Sequence, residues 1–375
     1  MEDKNKNNFQ IFNTQYGMPV QSISSIENVE YDGRRDDWVS WGEKNNYPQF
    51  ILELRETSPT LAVSIDAKTS MSIGDGVEIE GLGNVLVNRY ESITELYYKM
   101  VYDAWLFGGW ACEVIWNRDR TAIQSIYHLP FQNVRAEKVD EDEHLRDIDY
   151  YYYCDDWDSN KRNKKITKFH TLDPDYTEGR QIYYWTNYTP SNNKIYPVLP
   201  WQSGVDSVVL ESEIWSFHKK NLDNSLLPNL FISLIGSPSP TEREEIYNEL
   251  TQAYQGKNGK KLMLSFSDTA EDKPTIEPIS NDANSGLYID VLNLAQQATL
   301  TSNQISSPLL LGIQVGIANG FSSNADEIKV ATNHMIDFVI KPFIKKMNLG
   351  LENVLALKYN QPIQVINNFN KFDEE

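Results

Sequence analysis

No Asp, Glu, Lys or Arg occurs between Asp290 and Asp326, in a chain of 375 residues with 34 Lys+Arg and 53 Asp+Glu. A neutral stretch of that length restricts the fold. Its first part, Val291 to Ala298, suits a buried helix face. The part from Gln304 to Asn324 suits burial poorly, because it holds three glycines, Pro308 and many amides and hydroxyls. A buried loop of that composition leaves many backbone groups without partners. From the residues alone two readings stay open. One is a buried helix continued by a buried loop. The other is an uncharged loop facing a surface on which charge of either sign is harmful.

The formal charge of −19 argues against a protein that grips nucleic acid by neutralising many phosphates. It leaves room for one that lets a polyanion slide past. Two cysteines, Cys112 and Cys154, make a disulfide framework an unsuitable reading and fit a reducing compartment. The polar start, Met1 to Asn8, is read as lacking a signal peptide. The longest apolar run, Leu226 to Ile235, is broken by Pro228 and Asn229 and is too short for a membrane span.

Periodicity divides the chain. Residues 1–57 read as mostly irregular, with a helical pattern at Phe50 to Leu54. Ser58-Pro59 opens a helix with Leu61, Ile65 and Lys68 on one side. Gly74 and Gly76 end it, and Val77 and Ile79 suggest a short strand. A further helix starts at Ser92 or Thr94, carries Leu96, Met100, Val101, Trp105 and Leu106, and stops at Gly108-Gly109. From Trp110 to Tyr196 the period becomes two. Trp110 to Trp116 and Ile123 to Leu129 flank a turn at Asn117 to Arg120, followed by Asn133–Glu137, Tyr150–Cys154, Lys165–Leu172 and Gln181–Thr186. This is an α+β unit with a mostly antiparallel sheet.

After it come a helix over Asp206 to Leu227, a strand at Phe231 to Ile235, and a helix opened by the capping-box spacing Thr241-Glu242-Arg243-Glu244. A strand follows at Lys261 to Phe266, then a helix from Leu287 to Asn303. A last helix runs from Ser323 to Met347 and must bend near Pro342.

Catalytic constellations are absent from the pattern. Gly256-Lys257-Asn258-Gly259-Lys260 has the wrong spacing for a phosphate loop, and the five histidines form neither HExxH nor a zinc spacing. Cys112, within a strand, reads as an inert core thiol. Asp155 and Asp156 beside Trp157, with Trp185, are the best glycoside-hydrolase candidates. Among 53 carboxylates such a pair is expected by chance.

The order of segments resembles the phage portal protein family, of the HK97-like type found in tailed phages and gene transfer agents, over roughly Ser58 to Leu349. Three segments carry the resemblance. One is Gly108 to Ala111 with Leu129 to Val134. The second is Thr241 to Lys260, a Thr-x-x-Glu helix leading to Gly-x-x-Gly-Lys. The third is Ser307-Pro308-Leu309-Leu310-Leu311-Gly312, then a long helix containing Lys341-Pro342.

The resemblance implies a ring-forming portal fold, with an α+β wing over 58–205, stem helices over 206–227 and 285–305, and a small α/β clip over 228–284. A tunnel loop over 306–322, a long wing or crown-base helix over 323–347 and a short crown or tail over 348–375 complete it. It implies about twelve copies at one capsid vertex around double-stranded DNA, in the virion and, during assembly, in the host cytoplasm. Partners would be the terminase large subunit, the major capsid protein and a head–tail adaptor, with no membrane, cofactor, metal or catalytic site. Gln304, Ser307, Ile313, Gln314, Val315, Ile317, Asn319 and Phe321 would face the channel. Thr241, Glu244, Tyr247, Tyr254, Lys257 and Lys260 would lie in the clip. The alternatives are an adaptor or minor capsid protein, a glycoside hydrolase, or a monomeric scaffold.

Overall fold

The structure is a computed structural model that describes residues 27–28, 37–138, 148–157, 165–176, 180–191, 193, 195–224, 230–235, 239, 241–246, 248, 262–267, 285–312 and 325–372. The chain forms two compact units, residues 1–208 with 297–375, and residues 209–296.

In the first unit, strands β1 (Glu27–Asn28) and β2 (Ser40–Trp41) pair antiparallel. Helix α1 (Tyr47–Thr57) runs into α2 (Pro59–Ile73), separated by Ser58, whose hydroxyl accepts the Leu61 N–H at 3.1 Å. Strand β3 (Val77–Ile79) precedes α3 (Ile93–Phe107). The start of α3 is fixed by a reciprocal cap: Ser92 Oγ accepts the Glu95 N–H, and Glu95 Oε2 accepts the Ser92 N–H at 2.8 Å. The stripe expected on α3, Leu96, Met100, Val101, Trp105 and Leu106, is buried along its whole length.

The expected α+β architecture is observed. A six-stranded sheet has the order β5-β4-β9-β8-β7-β6, built from β4 (Gly109–Trp116), β5 (Ile123–Leu129), β6 (Val134–Ala136), β7 (Tyr150–Tyr153), β8 (Thr167–Thr171) and β9 (Arg180–Thr186). All neighbours are antiparallel except β8 and β9, which pair in parallel only at His170–Gln181 and Thr171–Ile182. The connection between them is too short to carry β9 back along the whole of β8, since parallel pairing normally needs a crossover of about a dozen residues. The turn at 117–122 closes through Asn117 N–H to Ala122 O at 2.9 Å, with Arg120 in the left-handed region.

One face of β9, Tyr183 and Trp185, meets Gly350. The other, through Tyr184, stacks on Phe131 and Tyr151. On that second face the segment before α1 is tied down: Val39 N–H reaches Ala136 O, Trp41 stacks on Tyr196 at 4.4 Å, and buried Arg135 donates to Asn45 O at 3.0 Å.

The C-terminal part departs from expectation. Helix α6 (Ala325–Met335) continues through a π-turn, Ile336–Ile340, into α7 (Lys341–Tyr359), past the expected end at Met347. The proline accounts for the π-turn. Pro342 has no N–H for the Phe338 carbonyl and its ring crowds that carbonyl, so the helix widens and Lys341 N–H bonds Ile336 O. Strand β12 (Val365–Asn367) then pairs antiparallel with β3. The chain from there is strapped along α6, with Phe372 exchanging two hydrogen bonds with Asn333, and Lys371 paired to Asp337.

The second unit carries most of α4 (Val205–Asn224), the parallel pair β10 (Leu230–Ile235) and β11 (Leu262–Ser267), and most of α5 (Ser285–Ser302). Phe217 stacks on Tyr288 with centroids 5.1 Å apart, and Gln296 Nε2 donates to buried Glu211. The expected cap at Thr241 falls two residues earlier. Ser239 and Glu242 form the reciprocal pair, because their spacing is the same and Ser239 lies just outside helical residues 241–246.

The Gly108-Gly109 pair has a separate reason at each position. Gly108 sits at φ +84°, and a Cβ there would lie 2.5 Å from Val198 O; at Gly109 it would lie 2.5 Å from Phe131 Cζ. Gly108→Ala is expected to lower stability by about 2 kcal/mol or more, through left-handed strain and the clash. A urea midpoint unchanged from the wild type would show that neither constraint holds.

Candidate functional site

Helical spacing puts Leu61, Ile65 and Lys68 on one side of α2, and all three are buried. A lysine in that row delivers its ammonium into the interior. Lys68 is 1% exposed, and its Nζ donates to Asn303 Oδ1 at 2.7 Å and lies 4.7 Å from the centroid of the Trp105 ring. Trp105 is itself fixed, with its indole N–H on Ser72 Oγ at 3.0 Å and its ring stacked on Phe343 at 3.8 Å. Among the described residues Lys68 has no carboxylate within ion-pair distance. Burial therefore pushes its ammonium down from 10.5 to about 7.

Asn303 is held from the other side, its Nδ2 donating to Thr299 O at 2.9 Å. It sits where α5 ends. Gln304 adopts φ +59°, Gln304 N–H bonds Thr301 O, and Ile305 N–H bonds Leu300 O. These two bonds are the Schellman pattern, which turns the chain away from the helix axis. Ser307 then caps a 3-10 turn at Pro308–Leu311, and its buried hydroxyl donates to Glu327 Oε1 at 3.2 Å. So the described chain leaves at Ser307 and has returned by Glu327.

A cavity of about 360 Å³ opens beside Lys68. Its walls are the Trp105 and Phe343 rings, Leu199, Pro200 and the π-turn residues Phe338 and Val339, with Asn187, Asn303 and Gln304 as polar edges. Among the described residues, Lys68 and Lys346 are its ionisable lining residues, and no carboxylate lines it. Asn187 Oδ1 is buried without a hydrogen-bond partner among the described residues.

Of the expected channel residues, Gln304 is exposed at the turn after α5 and Ser307 is buried against Glu327. Ile313, Gln314, Val315, Ile317, Asn319 and Phe321 lie outside the described residues. Of the expected clip residues, Thr241 and Glu244 are exposed in one helical turn, and Tyr247, Tyr254, Lys257 and Lys260 lie outside the described residues. The glycosidase candidates are not assembled as a site. Trp157 is buried, with its indole N–H on Asn133 O, while Trp185 packs against Trp110 and Phe343. Neither ring is laid open as a sugar platform beside Asp155 and Asp156. Cys112 is fully buried, which pushes its thiol far up. Among the described residues no three His, Cys, Asp or Glu converge to hold a metal, and no helix is long and apolar enough to cross a membrane.

The cavity escaped sequence reasoning. The one signal for it was a lysine in an apolar helical row. Its partners at 187, 303 and 346 carry no pattern that links them.

Lys68 gives stability a definite pH dependence. Between about pH 7 and 10 the unfolded chain keeps the Lys68 proton and the folded chain has released it, so folding gains as pH rises. Lys68→Met removes that contribution. The stability difference, wild type minus variant, should grow by about 1.4 kcal/mol per pH unit across that window. Parallel pH profiles from denaturant titrations would mean that Lys68 keeps an ordinary proton affinity in the fold.

Comparison with solved structures finds this fold elsewhere. A chain in the neck of an empty gene transfer agent (GTA) particle, computed with C6 symmetry, matches over 86% of this chain and 85% of its own, with TM-score 0.55 and 14% identity. A chain in the neck of a native GTA particle, computed with C12 symmetry, matches over 87% and 85%, with TM-score 0.55 and 13% identity. An HK97-family phage portal protein from Corynebacterium diphtheriae aligns over 84% of this chain and 93% of its own, at TM-score 0.47 and 12% identity. No protein-family model matches the chain, and no curated protein matches its sequence. The two GTA likenesses are likenesses of fold, and they span nearly the whole of both chains.

Proposed function

We propose that this chain is a portal protein, many copies of which ring one capsid vertex and leave a central passage for double-stranded DNA during packaging and ejection. The observation that carries the reading is the fold shared with chains of GTA particle necks over 85% or more of both partners. The ordered resemblance of three sequence segments to portal proteins supports it independently. In this reading 206–227 and 285–305 are the stem, 228–284 is the clip on which the terminase large subunit and then the head–tail adaptor dock, and 306–322 faces DNA. The major capsid protein holds the ring at its vertex.

The physics agrees with the assignment. A duplex driven through a pore must not bind its wall, and each Lys or Arg contact to phosphate adds affinity through counterion release and acts as a brake. Net negative charge repels the phosphates and centres the duplex, over a range of about 8–10 Å at moderate salt. A charge-free segment touches DNA without trapping it. The second unit also exposes apolar side chains suited to another copy: Trp215 and Phe217 on α4 at 47% and 37%, and Ile289 and Leu294 on α5 at 58% and 65%.

Electron microscopy of the particle neck tests the reading, with a ring of about twelve copies expected from the family resemblance. A solitary molecule without a hole overturns it, and a ring placed elsewhere in the neck selects the adaptor alternative. Leu294→Asp should leave chain stability within about 0.5 kcal/mol, as exposed substitutions do, and abolish the ring. Normal ring formation by the Leu294→Asp variant would exclude this face from the subunit contact.

Val315→Lys or Ile313→Lys should slow packaging, and the slowing should fade as salt rises. An unchanged packaging rate would remove this segment from the channel wall.

A further inference from the structure

We propose that the outward face of α6–α7 on one copy docks into the hollow between α1 and α3 on the next, a head-to-tail contact through two different surfaces of the first unit. The inference rests on the portal reading, because a closed ring needs each copy to present two different, complementary patches. The first surface is a stripe. Val330, Phe338 and Leu349 are 69%, 71% and 59% exposed, and Pro342 between them is exposed too. An uninterrupted α-helix advances about 100° per residue and would carry Leu349 roughly 100° round from Val330. The π-turn at Ile336–Ile340 takes up about one residue of that rotation and brings Leu349 back nearly beneath Val330. The result is one exposed apolar line, about 28 Å long at the rise of a helix.

Charge selects the occupant. Lys345 and Lys346 flank the stripe, both exposed and, among the described residues, without an ion pair. They call for carboxylates beside an apolar surface. The same unit carries one. A hollow of about 530 Å³ is lined by Leu52, Tyr98 and Tyr102, with Arg55, Glu56 and Asp66. Arg55 is already engaged by Tyr102 and Asp66, at 2.8 and 3.3 Å, and the nearby Lys99 by Glu91. Glu56 at the hollow, Glu53 next to Leu52, and Glu95 one turn before Tyr98 are exposed and make no ion pair among the described residues. The hollow offers aromatic walls to Phe338 and acids to the two lysines.

The two surfaces point apart. On α7 the buried Met347 and Leu351 lie opposite the stripe, on the side where Phe343 stacks on Trp105 and Asn348 bonds Tyr97 of α3. On α3, Glu95 lies about 160° round the helix from Tyr97. A copy docked on one surface therefore leaves the other open for a third, as head-to-tail assembly requires. Two stripes packed on each other would instead set lysines against lysines.

The test uses two full-length variants, Lys345→Cys and Glu56→Cys, co-expressed and treated with a short bismaleimide; the native Cys112 and Cys154 are buried. The mixture should give covalent dimers, and neither variant alone should. Lys345→Glu with Lys346→Glu should raise the concentration for half-assembly, read by sedimentation velocity, about tenfold or more. Adding Glu53→Lys and Glu56→Lys to that variant should restore it. No dimer in the mixture overturns the proposal, as do dimers of Lys345→Cys alone, an unchanged assembly midpoint, or failure of the second pair to restore it. A ring that forms without the crosslink overturns this contact and leaves the portal reading standing. Crosslinked open oligomers without a hole support the contact and overturn the portal reading.

Discussion

Trp105 is the point through which the first unit holds together. Its ring lies between Phe343 of α7 and the ammonium of Lys68 on α2, its indole N–H is fixed by Ser72, and Trp185 of β9 meets Phe343 edge-on. Three helices and the sheet therefore share one cluster of side chains. The lysine is its costly member. Taking an ammonium out of water costs several kcal/mol, and a cation–π contact of about 2 kcal/mol with one hydrogen bond offsets only part of that. The rest is met by loss of the proton.

That cost has a structural return. The same Lys68 amine grips Asn303 at the end of α5, and so fixes where the chain turns out of the helix at Gln304. Gln304 takes a left-handed backbone that disfavours side-chain-bearing residues by roughly 1–2 kcal/mol. The two hydrogen bonds of the helix stop and the lysine behind it hold it there. An apolar residue at 68 would pack more cheaply but would leave Asn303 without its donor.

Local signals in the sequence were legible wherever the cause was local. Ser58 before Pro59, a helix start at Ser92 or Thr94, and the alternation from Trp110 to Trp116 each pointed to the right element. Where the fold departs from the expected pattern, the deciding partner is remote. Just past the expected end of the last helix at Met347, Asn348-Leu349-Gly350 is a poor helical run, and the helix continues through it. Asn348 is accommodated because its amide exchanges hydrogen bonds with Tyr97 and Asn367. Gly350 is accommodated because a Cβ there would lie 2.7 Å from Trp185 Cδ1. The cap at Ser239 was missed for a different reason. Thr241–Glu244 offers the same spacing, and spacing alone does not choose between two overlapping copies of one motif. The cavity was unreadable because it is made by positions more than a hundred residues apart.

The two ends of the charge-free segment are anchored more firmly than its composition suggests. At one end Lys68 holds Asn303. At the other, Asn333 and Asp337 are gripped by the C-terminal strap through Phe372 and Lys371, and Asp337 also pairs with Lys341. The two lysines hold the Asp337 carboxyl below the usual range, so the strap keeps its charge pairing through mildly acidic conditions. Between these anchors, Ser307 and Glu327 close the base at 3.2 Å. On the proposed portal reading, a surface that must contact a moving polyanion while binding it nowhere needs a rigid frame to supply its position, and these anchors belong to such a frame.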